Sequence, residues 1–201
     1  MKKSFIIAID GPSASGKGTL AKKLAAYFNL PYLNTGALYR LLALRVIERK
    51  IDPENVTELV KNISEADLEN EKLFGEDVGA VASVIAKNPK IRAALFDFQR
   101  NFANPETGAV LDGRDTTTVI CPDADYKFFV TADVEIRARR RFNQLQSTPY
   151  EEILAQLKKR DENDLNRQDA PLKIASNAHI VNNGNLSIEE GFQKILKIIN
   201  D

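Results

Sequence analysis

Directly after an apolar run near the start of the chain comes Gly11-Pro12-Ser13-Ala14-Ser15-Gly16-Lys17-Gly18-Thr19. Phosphate binding asks for such a segment on three counts. Glycine lets backbone N–H groups converge on an anion without a Cβ in the way. A helix beginning here turns its unpaired N–H groups and positive dipole end toward the same point. Lys17 adds a mobile charge for the β- and γ-phosphates of a nucleotide. The spacing fits G-x-x-x-x-G-K with one departure: Gly18 stands where the general pattern has Ser or Thr, and the hydroxyl comes one place later, at Thr19. A plain Gly/Ser turn is the bland alternative. A strand before the segment and a helix after it argue for the phosphate cradle.

A kinase acting on a hydroxyl needs a base, whereas a phosphate monoester, with a second pKa of about 6, is already largely dianionic at neutral pH. A site for such an acceptor should be rich in arginine and poor in histidine. The chain has a single histidine, and Arg137, Arg139, Arg140, Arg141, Arg160 and Arg167 fall in one stretch. Gly108 to Asp115 is the second informative segment. Asp112 closes a short apolar strand, where a carboxylate can orient hydrated Mg²⁺. Arg114 and Asp115 project from the turn after it as an ion-forming pair, one able to grip phosphate in a planar fork and the other to accept from an exocyclic amine. Taken alone, a surface Arg–Asp pair is the simpler reading. In the third segment, Arg160, Asp164 and Arg167 are spaced to share a helix face, either as a salt-bridge ladder or as grips for phosphate and sugar. His179, at the edge of a late apolar strand, is read as structural.

The elements that must carry these residues alternate. Strands are expected over Lys3–Asp10, Leu30–Leu33, Gly108–Asp112, Lys127–Val130 and His179–Val181. Helices are expected over Thr19–Phe28, Thr35–Lys50 (with Arg40, Arg45 and Arg49 on its polar side), Pro89–Phe102, from Asp133, over Tyr150–Lys159 and after the capping box Ser187-Ile188-Glu189-Glu190. Residues between Asp52 and Pro89 read as short helices and turns. The fold class is α/β, a mostly parallel sheet with helices on both faces.

The totals agree with this. At 201 residues, 43% hydrophobic and 28% charged, the chain has the length and composition of one globular domain. Its net charge of zero advertises no nucleic-acid partner. No apolar run is long enough for a membrane span or a signal peptide. Cys121 alone can form no internal disulfide, and a cytoplasmic monomer is the default expectation.

Taken in order, these segments resemble bacterial cytidylate kinase. Asp10 to Thr19 is similar to that family's P-loop, and Asn34-Thr35-Gly36-Ala37-Leu38-Tyr39-Arg40 to its D-[ST]-G-A-[IL]-Y-R segment. Asp112-Gly113-Arg114-Asp115 with Thr118-Val119 and Pro122-Asp123-Ala124 resembles D-G-R-D-x-G-T-V-x-x-P-D-A. Arg137-Ala138 with Arg140-Arg141, and Arg160 to Arg167, resemble the family's arginine blocks. The likeness implies a P-loop kinase that moves the γ-phosphoryl group of ATP, as Mg-ATP, onto CMP or dCMP. It implies a core (about 1–34, 96–142 and 168–201), a nucleoside-monophosphate-binding segment (about 35–95) and a mobile lid (about 143–167). By the same likeness Thr35, Ser83, Arg92, Arg114, Asp115, Arg160, Asp164 and Arg167 line the CMP site, with Ser83, Arg92 and Asp115 on cytosine and Arg40, Arg114, Arg160 and Arg167 on phosphate. Lys17 and the lid arginines Arg140 and Arg141 serve ATP and the transferring group. Three departures stand out: a short stretch between Asp67 and Ser83, Thr117 for a glycine that a ligand could approach, and Asn34 for aspartate. A kinase of another small acceptor (UMP, AMP or a pantetheine-type metabolite) and a silent nucleotide-binding protein are the alternatives.

Overall fold

The computed structural model describes residues 4–52, 54–145 and 148–201. Strands β1 (Ile6–Asp10), β2 (Tyr32–Asn34), β3 (Ala109–Gly113), β4 (Tyr126–Thr131) and β5 (His179–Asn182) form one sheet in the order β2-β3-β1-β4-β5, every neighbour parallel. Asp10 lies level with Gly113 and Phe129, and Asn34 with Asp112, so the carboxyl ends of the inner strands share one edge. In open parallel sheets that edge is where ligands bind. Lys3, at the expected start of β1, lies outside the described residues.

The unbroken apolar run of β1 has a simple cause. Ile6 and Ala8 face one layer, against Leu38, Leu42, Ile91 and Leu95, while Ile7 and Ile9 face the other, against Leu20, Leu24, Phe128 and Ile195. A strand buried on both sides needs no polar alternation. Each such Leu or Ile contributes about 1.5–3 kcal/mol by leaving water. The first layer holds α2 (Thr35–Arg49), α3 (Val56–Val60), α4 (Glu76–Ile85) and α5 (Pro89–Phe102); the second holds α1 (Lys17–Phe28) and α8 (Ile188–Asn200). Helices α6 (Val134–Leu145) and α7 (Tyr150–Asn166) make a small core of their own around Ala138, Ile153 and Leu157.

Local chemistry sets the helix starts. Asn88 caps α5 ahead of Pro89, and Ser187 with Glu190 forms a reciprocal capping box on α8. Asn34 caps α2 by accepting from the Ala37 N–H at 3.2 Å, a role that aspartate would fill equally well. Arg45, expected on the polar side of α2, is buried instead. Its guanidinium takes the carbonyls of Leu59 and Lys61 at 2.5 and 2.7 Å, closing off the end of α3. Among the described residues no helix is long and apolar enough to cross a membrane.

Candidate active site

The glycine-rich loop joins β1 to α1 at the binding edge. Gly16 adopts φ 91°, and a Cβ there would come 2.4 Å from Asn183 Nδ2, so only glycine fits. Ala14 sits in the left-handed region at φ 58°, a conformation that costs about 1–2 kcal/mol outside glycine. The loop's own lysine and two side chains from far along the chain hold its carbonyls outward. Lys17 Nζ donates to Pro12 O at 3.1 Å, Arg137 Nη1 to Ser13 O at 3.1 Å, and Asn183 Nδ2 to Ser15 O at 2.9 Å. Turning the carbonyls away leaves the loop's N–H side for an anion. A cavity of about 530 Å³ opens over the loop, walled by Gly16 to Leu20, by Arg140 and by Asn183 with Leu186 to Ile188.

A second pocket lies on the other side of the loop. It is lined by Ser13, by Thr35, Tyr39 and Arg40 of α2, by Ser83 of α4, by Arg114 and Asp115 after β3, and by Arg160, Asp164 and Arg167. The arginines here are mutually braced. Arg114 Nε donates to Asp164 at 2.6 Å and its Nη2 to Ser13 Oγ at 2.7 Å, so one side chain touches both the loop and α7. Asp115 is clasped by Arg92 and lies 3.5 Å from Arg167 Nη2, a buried atom with no hydrogen-bond partner among the described residues. Arg167 lines the pocket, and a guanidinium N–H left without a hydrogen bond there is one that a ligand oxygen can satisfy.

Burial and crowding shape the charges. Lys17 is pushed down to about 7, first by burial and then by Arg114, with Asp112 opposing. Arg40 is held down to about 10 by burial and by Arg160 and Arg141. Burial raises the Asp112 carboxyl, while Lys17 and a hydrogen bond from the Tyr32 hydroxyl at 2.6 Å pull it back. For Arg114 burial works downward, yet Asp164, together with Asp112 and Asp10, outweighs that and the net shift is upward.

Among the described residues no group of three or more His, Cys, Asp or Glu side chains is arranged to grip a metal ion. The donor set instead suits an ion held chiefly by phosphate oxygens and water. Asp112 lies beside the loop, and the absent side chain of Gly18 leaves space there: a Cβ would stand 3.7 Å from Asp112 Oδ2. Magnesium, which keeps several waters and takes few protein ligands, fits that arrangement.

The structure thus gathers most of the residues singled out from sequence, with corrections. Arg92 does not line the acceptor pocket; it stands behind Asp115 and stacks toward Tyr39, 5.8 Å from the ring centroid. Arg114 and Asp115 are not paired with each other, nor exposed, because tertiary neighbours outcompete an adjacent residue pointing the other way. The salt-bridge ladder within Arg160 to Arg167 does not form either. Residues Tyr150 to Asn166 are one helix, Arg167 has left it with ψ 142°, and Arg160 pairs with Glu76. Thr117 faces inward, its N–H and hydroxyl both on Asp10 Oδ2 at 2.7 and 2.6 Å, away from any ligand. Arg140 lines the loop cavity with its guanidinium on the carbonyls of Asn183 and Gly184, at 2.5 and 3.1 Å. His179 is exposed on the edge strand, tilted against Phe128. Asn183 and Glu76 were beyond sequence reasoning. An Asn near the end of a strand and a Glu at a helix start carry no distinguishing pattern.

Comparison with known proteins agrees with this geometry. The family model described as cytidylate kinase matches residues 7–201. The cytidylate kinase of Brucella ovis is 44% identical over 202 residues, covering 97% of this chain and 92% of the relative. That of Brucella melitensis biotype 1 is 43% identical with the same coverage. A crystal structure of an uncharacterized protein from Eubacterium ventriosum superposes with TM-score 0.62 at 19% identity, covering 98% of this chain and 99% of that one. Shikimate kinase from Bacteroides thetaiotaomicron gives 0.50 at 17%, with the same coverage of each chain. The two structures share the fold; the family match and the close relatives go further, and this chain belongs to the cytidylate kinase family.

Proposed function

We propose that this protein transfers the γ-phosphoryl group of ATP to CMP or dCMP, giving ADP and CDP or dCDP. The observation that carries the reading is the position of Arg114. It bonds Ser13 of the phosphate loop and Asp164 of the acceptor wall, so two anion pockets meet across one guanidinium. A phosphoryl donor on one side and a dianionic acceptor on the other need that charge between them.

In this reading the N–H groups of Gly11 to Thr19 and the Lys17 ammonium hold the ATP phosphates, while Arg140 closes the cavity over them. Arg40, Arg160 and Arg167 bind the acceptor's phosphate and sugar side, with Thr35 on the same wall and Asp164 fixing Arg114. Ser83 and Asp115 face the cytosine edge, and Arg92 acts through Asp115, which it orients. The acceptor needs no base, since its phosphate oxygen is already ionised at neutral pH. Mg²⁺ would be held by phosphate oxygens and by Asp112 through water, and when bound it neutralises charge on the β- and γ-phosphates. The segment 35–95 is the acceptor-binding unit and 143–167 the lid. Helices α5 and α6 run unbroken through positions 95 and 142, so bending is expected at helix ends instead. Closure expels water that would otherwise take the phosphoryl group. Both pockets come from one chain, which supports a working monomer, and the free buried thiol of Cys121 suits the reducing cytoplasm.

The test is a coupled ADP-release assay with Mg-ATP and CMP, dCMP, UMP or AMP presented separately. Turnover with CMP or dCMP and little with the others supports the assignment. Turnover confined to UMP or AMP removes Ser83 and Asp115 from cytosine recognition, and none with any acceptor overturns the kinase reading.

A further inference from the structure

Glu76 opens α4 in the midst of arginines. Its Oε1 accepts from Arg141 Nε at 2.7 Å and its Oε2 from Arg160 Nη2 at 3.0 Å; its backbone carbonyl also takes Arg160 Nη2, at 3.2 Å. Arg40 is held alongside, on the carbonyls of Leu73 and Gly75 at 2.7 and 3.2 Å. Further along the helix Gly79 makes room for two guanidinium groups: a Cβ would come 2.4 Å from Arg160 Nη2 and 2.8 Å from Arg40 Nη2. Arg40 and Arg160 line the acceptor pocket, whereas Glu76 does not. A carboxylate therefore occupies the back of a cluster whose front is open to an anion.

We infer that Glu76 is a built-in counter-ion that competes with the acceptor's phosphate for Arg160 and so sets acceptor affinity. This rests on the reading that the pocket takes a phosphorylated nucleoside. Without an acceptor, the carboxylate spares the buried guanidinium groups from lying uncompensated and holds their side chains in place. When a dianionic phosphate arrives, Arg160 either leaves Glu76 or is shared with it. The like charge remains close in both cases, and both weaken binding. Glu76 touches neither substrate nor reacting atoms; it is a positioning residue acting through Arg160. A simple structural latch joining α4 to α6 and α7 has the opposite sign, because its loss would loosen the arginines and weaken the acceptor's hold.

Glu76→Gln keeps the shape and removes the charge, and Glu76→Ala removes both. Calorimetric binding of CMP, inorganic phosphate and unphosphorylated cytidine is measured on the wild type and both variants, beside kcat and KM. A carboxylate and a phosphate dianion on the order of 6 Å apart at water-like screening repel by roughly a tenfold factor in affinity. The dissociation constants of CMP and inorganic phosphate are therefore expected to fall about tenfold, with KM for CMP following, kcat not rising and cytidine binding unchanged. Wild-type turnover of CMP with equal or weaker CMP binding in both variants overturns the role of Glu76 alone. Absence of CMP binding by the wild type overturns the acceptor reading and this inference with it.

Discussion

ATP binding by this protein is expected to draw protons from solution, and Lys17 is the group that takes them up. Burial, then the neighbouring Arg114, push its ammonium down to about 7, against the pull of Asp112, Asp164 and Asp10. At pH 8 a group titrating there is charged in roughly one molecule in ten. A triphosphate placed against Nζ returns it toward the ordinary lysine value of about 10.4. Uptake should then be about 0.9 proton per ATP at pH 8 and about half a proton at pH 7. By linkage, ATP affinity falls nearly tenfold for each unit of pH above about 8. Calorimetry in two buffers of different ionisation enthalpy reads the uptake directly, since the observed heat changes in proportion to protons transferred. The γ-phosphate of Mg-ATP is already ionised at pH 8 and contributes little. Lys17→Met should abolish the uptake along with most of the affinity. An uptake near zero at pH 8 in the wild type, with ATP bound, refutes the burial reasoning; an undiminished uptake in Lys17→Met assigns the proton to another group. The same depressed value has a consequence for the unliganded fold. Between about 7 and the unfolded value of about 10.4 the unfolded chain binds the extra proton, so this group's contribution makes the free protein more stable as pH rises through that window.

Thr117→Val removes a hydroxyl from buried Asp10 and should cost about 1–3 kcal/mol, lowering the melting temperature by roughly 2–4 °C per kcal/mol. Thr117→Ser should recover most of the loss in a thermal scan, and a Val variant as stable as wild type contradicts the inward assignment. Arg167→Ala removes a buried guanidinium beside Asp115 and should lower kcat/KM for CMP by about ten- to a hundredfold or more, with KM for ATP little changed. A Mg-ATP KM that shifts as much as that for CMP places Arg167 elsewhere. His179→Gln, on an exposed edge strand, should leave kcat and KM within about twofold. A collapse of turnover in that variant, folded by circular dichroism, refutes its structural role.

What the sequence disclosed and what it hid divide along the range of the interactions involved. The phosphate loop was legible because its signal is local: glycines, lysine, a strand before and a helix after. The limits of α5 and the capping box of α8 were legible for the same reason. The parallel sheet class followed from alternating strands and helices and from an apolar run buried on both faces, whereas the strand order came only with the structure. The partners of the charged side chains were not legible. Arg114 lay beside Asp115 in sequence but chose Asp164, 50 positions away, and Asp115 chose Arg92. Such pairing is decided by where helices cross, which spacing does not encode. Thr117 read as an intrusion on the ligand side because strand-end geometry, not residue type, determines which way a turn faces. Asn183 reaches the loop from 168 positions away, and nothing about an asparagine announces that.

The loop whose carbonyls are pinned by Arg137 and Asn183 also bears on how the chain reaches its native state. A nascent chain that has emerged only through α1 can form the strand, the turn and the helix, yet it lacks every distant donor that shapes the cradle. Phosphate affinity is therefore acquired late, after contacts separated by 124 and 168 positions have closed. Contacts of such separation are slow to form because loop closure precedes their reward. A nucleotide will then stabilise only the completed fold, and protection by ATP against proteolysis should appear abruptly when truncated chains include both Asn183 and the α8 residues that pack on α1.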